Sequence, residues 1–209
     1  MMILQKLKVS IPYILGVTLF FNTYWFSKIA AEESNNELSA ESACDMLEEL
    51  SEISKIEYKI SLIERKINPQ LSYIIAEKVY RYSKQANKES DLVLSIMAVE
   101  SWFDPNATSP TGAKGLMQVM PFWEKILNVK DLYDMDDNII SGIKILSKYE
   151  KRFKKTDLAL AAYNRGPEKV KEDLHNRIDP RNKYVWDISR MYKRLRKIKF
   201  GTITYVAKT

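Results

Sequence analysis

Apolar residues return every three or four positions through much of the chain. From Asp45 to Ile67 they fall at Met46, Leu50, Ile53, Ile56, Ile60, Ile63 and Ile67, with charged residues between them. That spacing lines one face of an α-helix. Asn68-Pro69 ends the run, since the residue before a proline is steered away from helical geometry. The same reading predicts a helix over 69–85 and another from Ser90, a candidate N-cap, to about Ser101. Asp104-Pro105 stops that helix, and 106–113 reads as an irregular stretch. Further helices are predicted near 115–127, 138–153, 157–164 and 181–197. No internal repeat or low-complexity tract interrupts the series. Six glycines and seven prolines argue against a loop-rich or all-β chain, so the expected class is mostly α.

The N-terminus breaks this pattern. Lys6 and Lys8 precede an apolar run, Val9 to Phe26, and Ala30-Ala31 follow it. A positive flank, an apolar middle and small residues after it predict a secretory signal peptide or an N-terminal membrane anchor over 1–31. Asn22 and Thr23 shorten the apolar part and favour cleavage. The remainder is expected to be exported, to a periplasm or cell envelope. Residues 32–44, rich in Glu, Ser, Asn and Ala, read as a linker, so that 32–68 forms a linker and amphipathic helix. A compact domain is expected over 69–197, with a tail at 198–209.

Charge and rare residues narrow the chemistry. The 209 residues carry a formal charge of +6, with a basic excess between Lys183 and Lys199. That stretch reads as a solvated helix face, or as one meeting an anionic membrane or wall polymer. An exported chain meets little DNA, so no nucleic-acid partner is expected. One cysteine, Cys44, and one histidine, His175, exclude an internal disulfide and a Cys/His zinc cluster. No nucleophile motif surrounds His175, an ordinary surface or loop residue, and no metal or cofactor is expected.

The informative stretch runs from Ala98 to Pro121. Glu100 sits in the last turn of its helix, with Ile96 and Met97 on its face. Apolar neighbours and the negative end of the helix dipole both raise a carboxyl pKa, and a protonated glutamic acid near neutral pH suits general-acid attack on a glycosidic oxygen. Taken singly, a glutamate so placed serves structure more often than catalysis. Ser109-Pro110-Thr111-Gly112 is a β-turn signature, and Gly112 and Gly115 permit close backbone approach. Gln118 is one polar side chain in an apolar run and needs a partner, either backbone or a sugar. Further on, Thr156 to Pro167 reads as a short capped helix ending in Tyr163-Asn164.

In this order, E-S-x-F-x-P-x-A-x-S-P-x-G-A-x-G-L-M-Q-x-M-P from Glu100, then Asn138-Ile139 with Gly142, then A-x-Y-N-x-G-P around Tyr163, the chain resembles the catalytic domain of lytic transglycosylases of the soluble type. The resemblance covers about residues 70–195. It implies a lysozyme-like helical domain with a glycan groove and peptidoglycan strands as substrate. Glu100 would be the single acid/base, and the β-1,4 bond between N-acetylmuramic acid and N-acetylglucosamine would be cut with a 1,6-anhydro product. Ser109, Gln118, Met120 and Tyr163 match positions around the sugar site, and Met117 one packed nearby. A water-adding relative like goose-type lysozyme, or a non-catalytic glycan-binding scaffold, are the alternatives. Phe122-Trp123 and Arg165 depart from the usual pattern, and Lys154-Lys155 and the tail match no part of it.

Overall fold

The computed structural model describes residues 40–200. The expected signal or anchor at 1–31, the first part of the linker and the end of the tail lie outside the described residues. The described helices are α1 (Ala40–Ile63), α2 (Pro69–Gln85), α3 (Ser90–Glu100), α4 (Phe122–Leu127), α5 (Met135–Phe153), α6 (Thr156–Arg165), α7 (Pro167–His175) and α8 (Lys183–Arg196). Extended pairing among the described residues is limited to two isolated bridges, Lys114 with Thr108 and with Val119. The mostly α class is therefore the one observed. No described helix is long and apolar enough to cross a membrane.

The chain divides into two units. One is Ile56–Ile198; the other contains the described residues 40–55 and 199–200. In the larger unit α3 is the central element. Its residues Val93 to Ala98 are all buried, as a helix apolar on every side must be. It packs on α2 and α8, α5 packs on α2 and α6, and α6 packs on α7 and α8. Ile75, Leu94, Ile96, Leu146 and Ile188 are at most 0% exposed, and each such side chain contributes about 1.5–3 kcal/mol through burial. Ala159, Ala161 and Ala162 are buried on α6, where small side chains bring backbones close together.

Polar contacts fix the registry of these helices. The Asn68 side chain accepts from the Gln70 and Leu71 amides and opens α2. Asp136, in the first turn of α5, accepts from Lys78 and from the Tyr82 hydroxyl, each at 2.6 Å, tying α5 to α2. Lys59 reaches Asp91 at the start of α3, at 2.6 Å.

Several boundaries differ from the sequence expectation. α1 already ends at Ile63, before the Asn68-Pro69 stop, whereas α2 spans 69–85 as expected. The linker expected over 32–44 is helical from Ala40. Ser90 is the first helical residue, and the cap position falls to Glu89, which makes no side-chain cap bond. The helix expected near 115–127 is present only from Phe122, because Gly115 (φ +72°) and Gln118 (φ +46°) hold the preceding segment in left-handed turns. A helix absent from the expectation, α7, starts at Pro167, a residue suited to a first helical position. Cys44 is free and exposed, and His175 is exposed in the last turn of α7.

Candidate active site

The site forms where α3 ends. The helix stops because Ser101 leaves helical geometry and Trp102 and Phe103 both turn left-handed, at φ +54° and +64°. Such angles are uncommon for bulky residues and persist only where the surroundings hold them. Burial of Phe103, 1% exposed, supplies one hold. The Ser101 hydroxyl supplies another by donating to the Leu116 carbonyl at 2.8 Å. The end of α3 is thereby fastened to the segment carrying Met117 and Gln118.

That segment is braced by Asn138 of α5, which is 1% exposed. Its amide nitrogen donates to the Lys114 and Leu132 carbonyls at 2.8 and 2.7 Å, and its oxygen accepts from the Met117 amide at 2.8 Å. Gly115 leaves room for this brace: a Cβ there would lie 2.4 Å from Asn138 Nδ2 and 2.6 Å from the Leu132 carbonyl. Gly142 does the same for Met117, whose Sδ would sit 2.4 Å from an added Cβ. The Met117 side chain is fully buried on that glycine. It is a packing residue whose side chain a glycan would not reach, and it serves the site through its backbone.

Gln118 is half-buried, and its amide nitrogen donates to the carbonyls of Ala107 and Gly115 at 3.1 and 3.0 Å. Of the two partners left open by the sequence, backbone therefore takes the donors; the side-chain oxygen is what a sugar would be offered. The half-buried Ser109 hydroxyl accepts from the Ala113 amide at 2.9 Å and pairs with Thr111 at 3.0 Å, closing the Pro110 turn. Met120 is half-buried, and its carbonyl accepts from Trp123 at the start of α4.

Glu100 is half-buried at the end of α3. Burial raises its carboxyl pKa to about 7, and a hydrogen bond from Tyr184 holds it back from rising further. The Tyr184 hydroxyl donates to Glu100 Oε1 at 2.6 Å. Tyr163 makes a different contact: its hydroxyl donates to the Met117 carbonyl at 2.9 Å. Burial, and then the nearby Glu100 charge, push both phenols well above their ordinary pKa, so both remain protonated donors.

Tyr184 did not emerge from the sequence. It lies 84 positions after Glu100 in a helix whose visible feature is its basic character. Its placement is prepared by Asn164, the residue after Tyr163. The Asn164 side-chain oxygen accepts from Asn182 at 2.8 Å, and Asn182 in turn caps α8 by accepting from the Val185 amide. Arg165 pairs with Asp173 at 2.7 Å and donates to the Pro180 carbonyl at 2.8 Å, fixing the connection into α8. The next two acidic residues after Glu100 along the chain are engaged elsewhere. Asp104 is exposed and accepts from the Asn106 amide, and Glu124 pairs with Lys114 at 3.0 Å.

Comparison with known proteins places this geometry in context. Residues 77–185 match the family described as the transglycosylase SLT domain. The chain is 38% identical to the transglycosylase of Enterobacteria phage PRD1 over 90 residues, 43% of this chain and 34% of that protein. It is 35% identical to the membrane-bound lytic murein transglycosylase F of Desulfosudis oleivorans over 88 residues, 39% of this chain and 19% of that protein. The chain thus spans about a third or less of the length of these curated relatives. Among solved structures, an inactive mutant of the lytic transglycosylase Slt from Pseudomonas aeruginosa superimposes with a TM-score of 0.51 at 22% identity, over 71% of this chain and 30% of that one. The 70 kDa soluble lytic transglycosylase of Escherichia coli gives 0.51 at 23%, over 72% and 30%. Likeness at that identity establishes the fold.

Proposed function

Because the chain belongs to the transglycosylase SLT domain family, we propose that it cleaves peptidoglycan glycan strands at the β-1,4 bond from N-acetylmuramic acid to N-acetylglucosamine, with Glu100 as the single general acid and base. The supporting observation is the carboxyl itself: partly buried, protonated up to about pH 7, and oriented by Tyr184. An acid with its pKa near the working pH is the efficient proton donor.

Glu100 gives its proton to the bridging oxygen as the bond to C1 of the muramic residue breaks. The departing sugar keeps that proton as its 4-hydroxyl. The positive charge at C1 is held by the substrate's acetamido group or as an oxocarbenium. Glu100, now a carboxylate, takes the proton from the muramic 6-hydroxyl, whose oxygen bonds to C1 and closes the 1,6-anhydro ring. The attacking group belongs to the same sugar, and such proximity is worth several kcal/mol. A second carboxylate, which ordinary glycosidases use, is not needed. The engagement of Asp104 and Glu124 with other partners fits that scheme.

Tyr184 donates to Oε1, leaving Oε2 to carry the mobile proton. Ser109, Gln118, Met120 and Tyr163 are proposed to contact the sugars, Gln118 through its oxygen as an acceptor. The segment 1–31 would export the chain or anchor it in the membrane, placing it in the envelope beside its substrate. Residues 69–197 would be the catalytic domain.

The test is a digest of purified peptidoglycan by the protein beside Glu100→Gln, with products read by mass spectrometry. Products with 1,6-anhydro ends, absent with the variant, are expected. Reducing ends would make the protein a hydrolase of lysozyme type. No product from folded protein that binds glycan would make it a scaffold.

A further inference from the structure

Away from Glu100, the C-terminal half of α5 borders an open cavity of about 880 Å³ whose walls carry Lys144, Lys148, Lys151, Lys154 and Lys155. None of the residues assigned to the active site lines it. Its one carboxylate, Glu150, is already used: it pairs with Lys88 and accepts from the Thr156 hydroxyl at 3.2 Å. Among the described residues, no carboxylate lies within ion-pair distance of the five lysines. Some lysines elsewhere are matched, as Lys59 with Asp91, Lys78 with Asp136 and Lys114 with Glu124; what sets the cavity apart is five lysines gathered on one wall.

This concentration works against the helix. Lys144, Lys148 and Lys151 follow one another at steps of four and three, hence on one face. Like charges so spaced destabilise a helix by about 0.2–0.5 kcal/mol per pair. The negative helix C-terminus offsets that only within its last turn, which Lys144 precedes by more than a turn. Lys148 is held over the Trp123 ring, 4.9 Å from its centre, so its ammonium stands in a fixed place.

We propose that this cavity binds a ligand carrying two or more clustered phosphate groups. Ammonium groups suit phosphate as point charges. The cavity is concave, which suits a compact anion better than a flat bilayer. Trp123 is buried, so its ring is unavailable for stacking a nucleobase. Given the envelope location proposed above, such a ligand would hold the protein on phosphorylated envelope material independently of the Glu100 site.

The test titrates the full chain with inorganic tripolyphosphate by calorimetry, at low and high salt. Three forms are compared: wild type, Lys144→Gln/Lys151→Gln/Lys154→Gln, and a control of equal charge, Lys125→Gln/Lys171→Gln/Lys193→Gln, at exposed positions outside the cavity. Binding should weaken at least tenfold in the cavity variant and less than twofold in the control, with both variants melting within a few degrees of wild type. Equal losses in the two variants would reduce the effect to net charge and overturn the site. So would the absence of binding in the wild type. A parallel arm uses vesicles of phosphatidylglycerol in phosphatidylcholine. Vesicle binding without tripolyphosphate binding would make the face a membrane contact and overturn the pocket.

Discussion

Two regions converge on Glu100, and they differ in kind. The segment from Ser101 to Pro121 is irregular, with left-handed residues at Trp102, Phe103, Gly112, Gly115 and Gln118. The other region, α8, is a regular helix that brings the Tyr184 hydroxyl to the carboxyl. The first holds its shape through close, local and unusual backbone geometry. The second needs only to be set at the right place by contacts with α3 and α6. A site built this way combines one part intolerant of change with one part whose contribution rests on a single hydroxyl.

The largest effect is expected where the two regions meet. Glu100→Gln removes the proton donor and should lower the rate of glycan cleavage by about 10²–10⁴-fold, read as anhydro product per unit time. A smaller loss would shift the acid role elsewhere. The next test strikes the irregular segment alone. Gly115→Ala drives a Cβ into Asn138 and the Leu132 carbonyl at a left-handed φ, and should destabilise the protein by about 3 kcal/mol in urea unfolding. A loss below about 1 kcal/mol would mean that the brace yields.

The raised Glu100 pKa has a consequence for stability. Unfolding returns the carboxyl to its ordinary value of 4.5, so the folded state binds the proton more tightly between pH 4.5 and about 7. Stability of the wild type should therefore fall as pH rises through that window. Relative to the wild type, Glu100→Gln should gain on the order of 2 kcal/mol at pH 8 over its difference at pH 4. Parallel stability curves for the two proteins would contradict the buried-acid picture.

The smallest effect isolates α8. Tyr184→Phe deletes the hydrogen bond that lowers the Glu100 pKa, while leaving the ring in place. Activity should fall about tenfold, the order expected for one hydrogen bond to a charged group. The alkaline limb of the kcat/KM profile should move to higher pH. A merely structural tyrosine would change the rate without moving that limb.

The sequence by itself determined the helical class, because apolar residues at steps of three and four can bury one face only as helices. The turn at Ser109–Gly112 was also legible, since Pro110 and Gly112 restrict local backbone choices without reference to distant residues; the left-handed Gly115 and Gln118 were not, lying in a segment expected to be helical. Glu100 stood out through the order of the motifs around it, since a carboxyl on an apolar face at a helix end taken singly serves structure more often than catalysis. Tertiary structure alone decided the rest. It directed the Tyr163 hydroxyl to the Met117 carbonyl and delivered Tyr184 to Glu100. It also turned the Asn138 amide into the brace of the Met117 segment, and gathered the lysines of α5 around one cavity. The reason is physical: a spacing rule reports which residues share a face of one helix, whereas a contact across 84 positions depends on how separate helices pack, which no local pattern records.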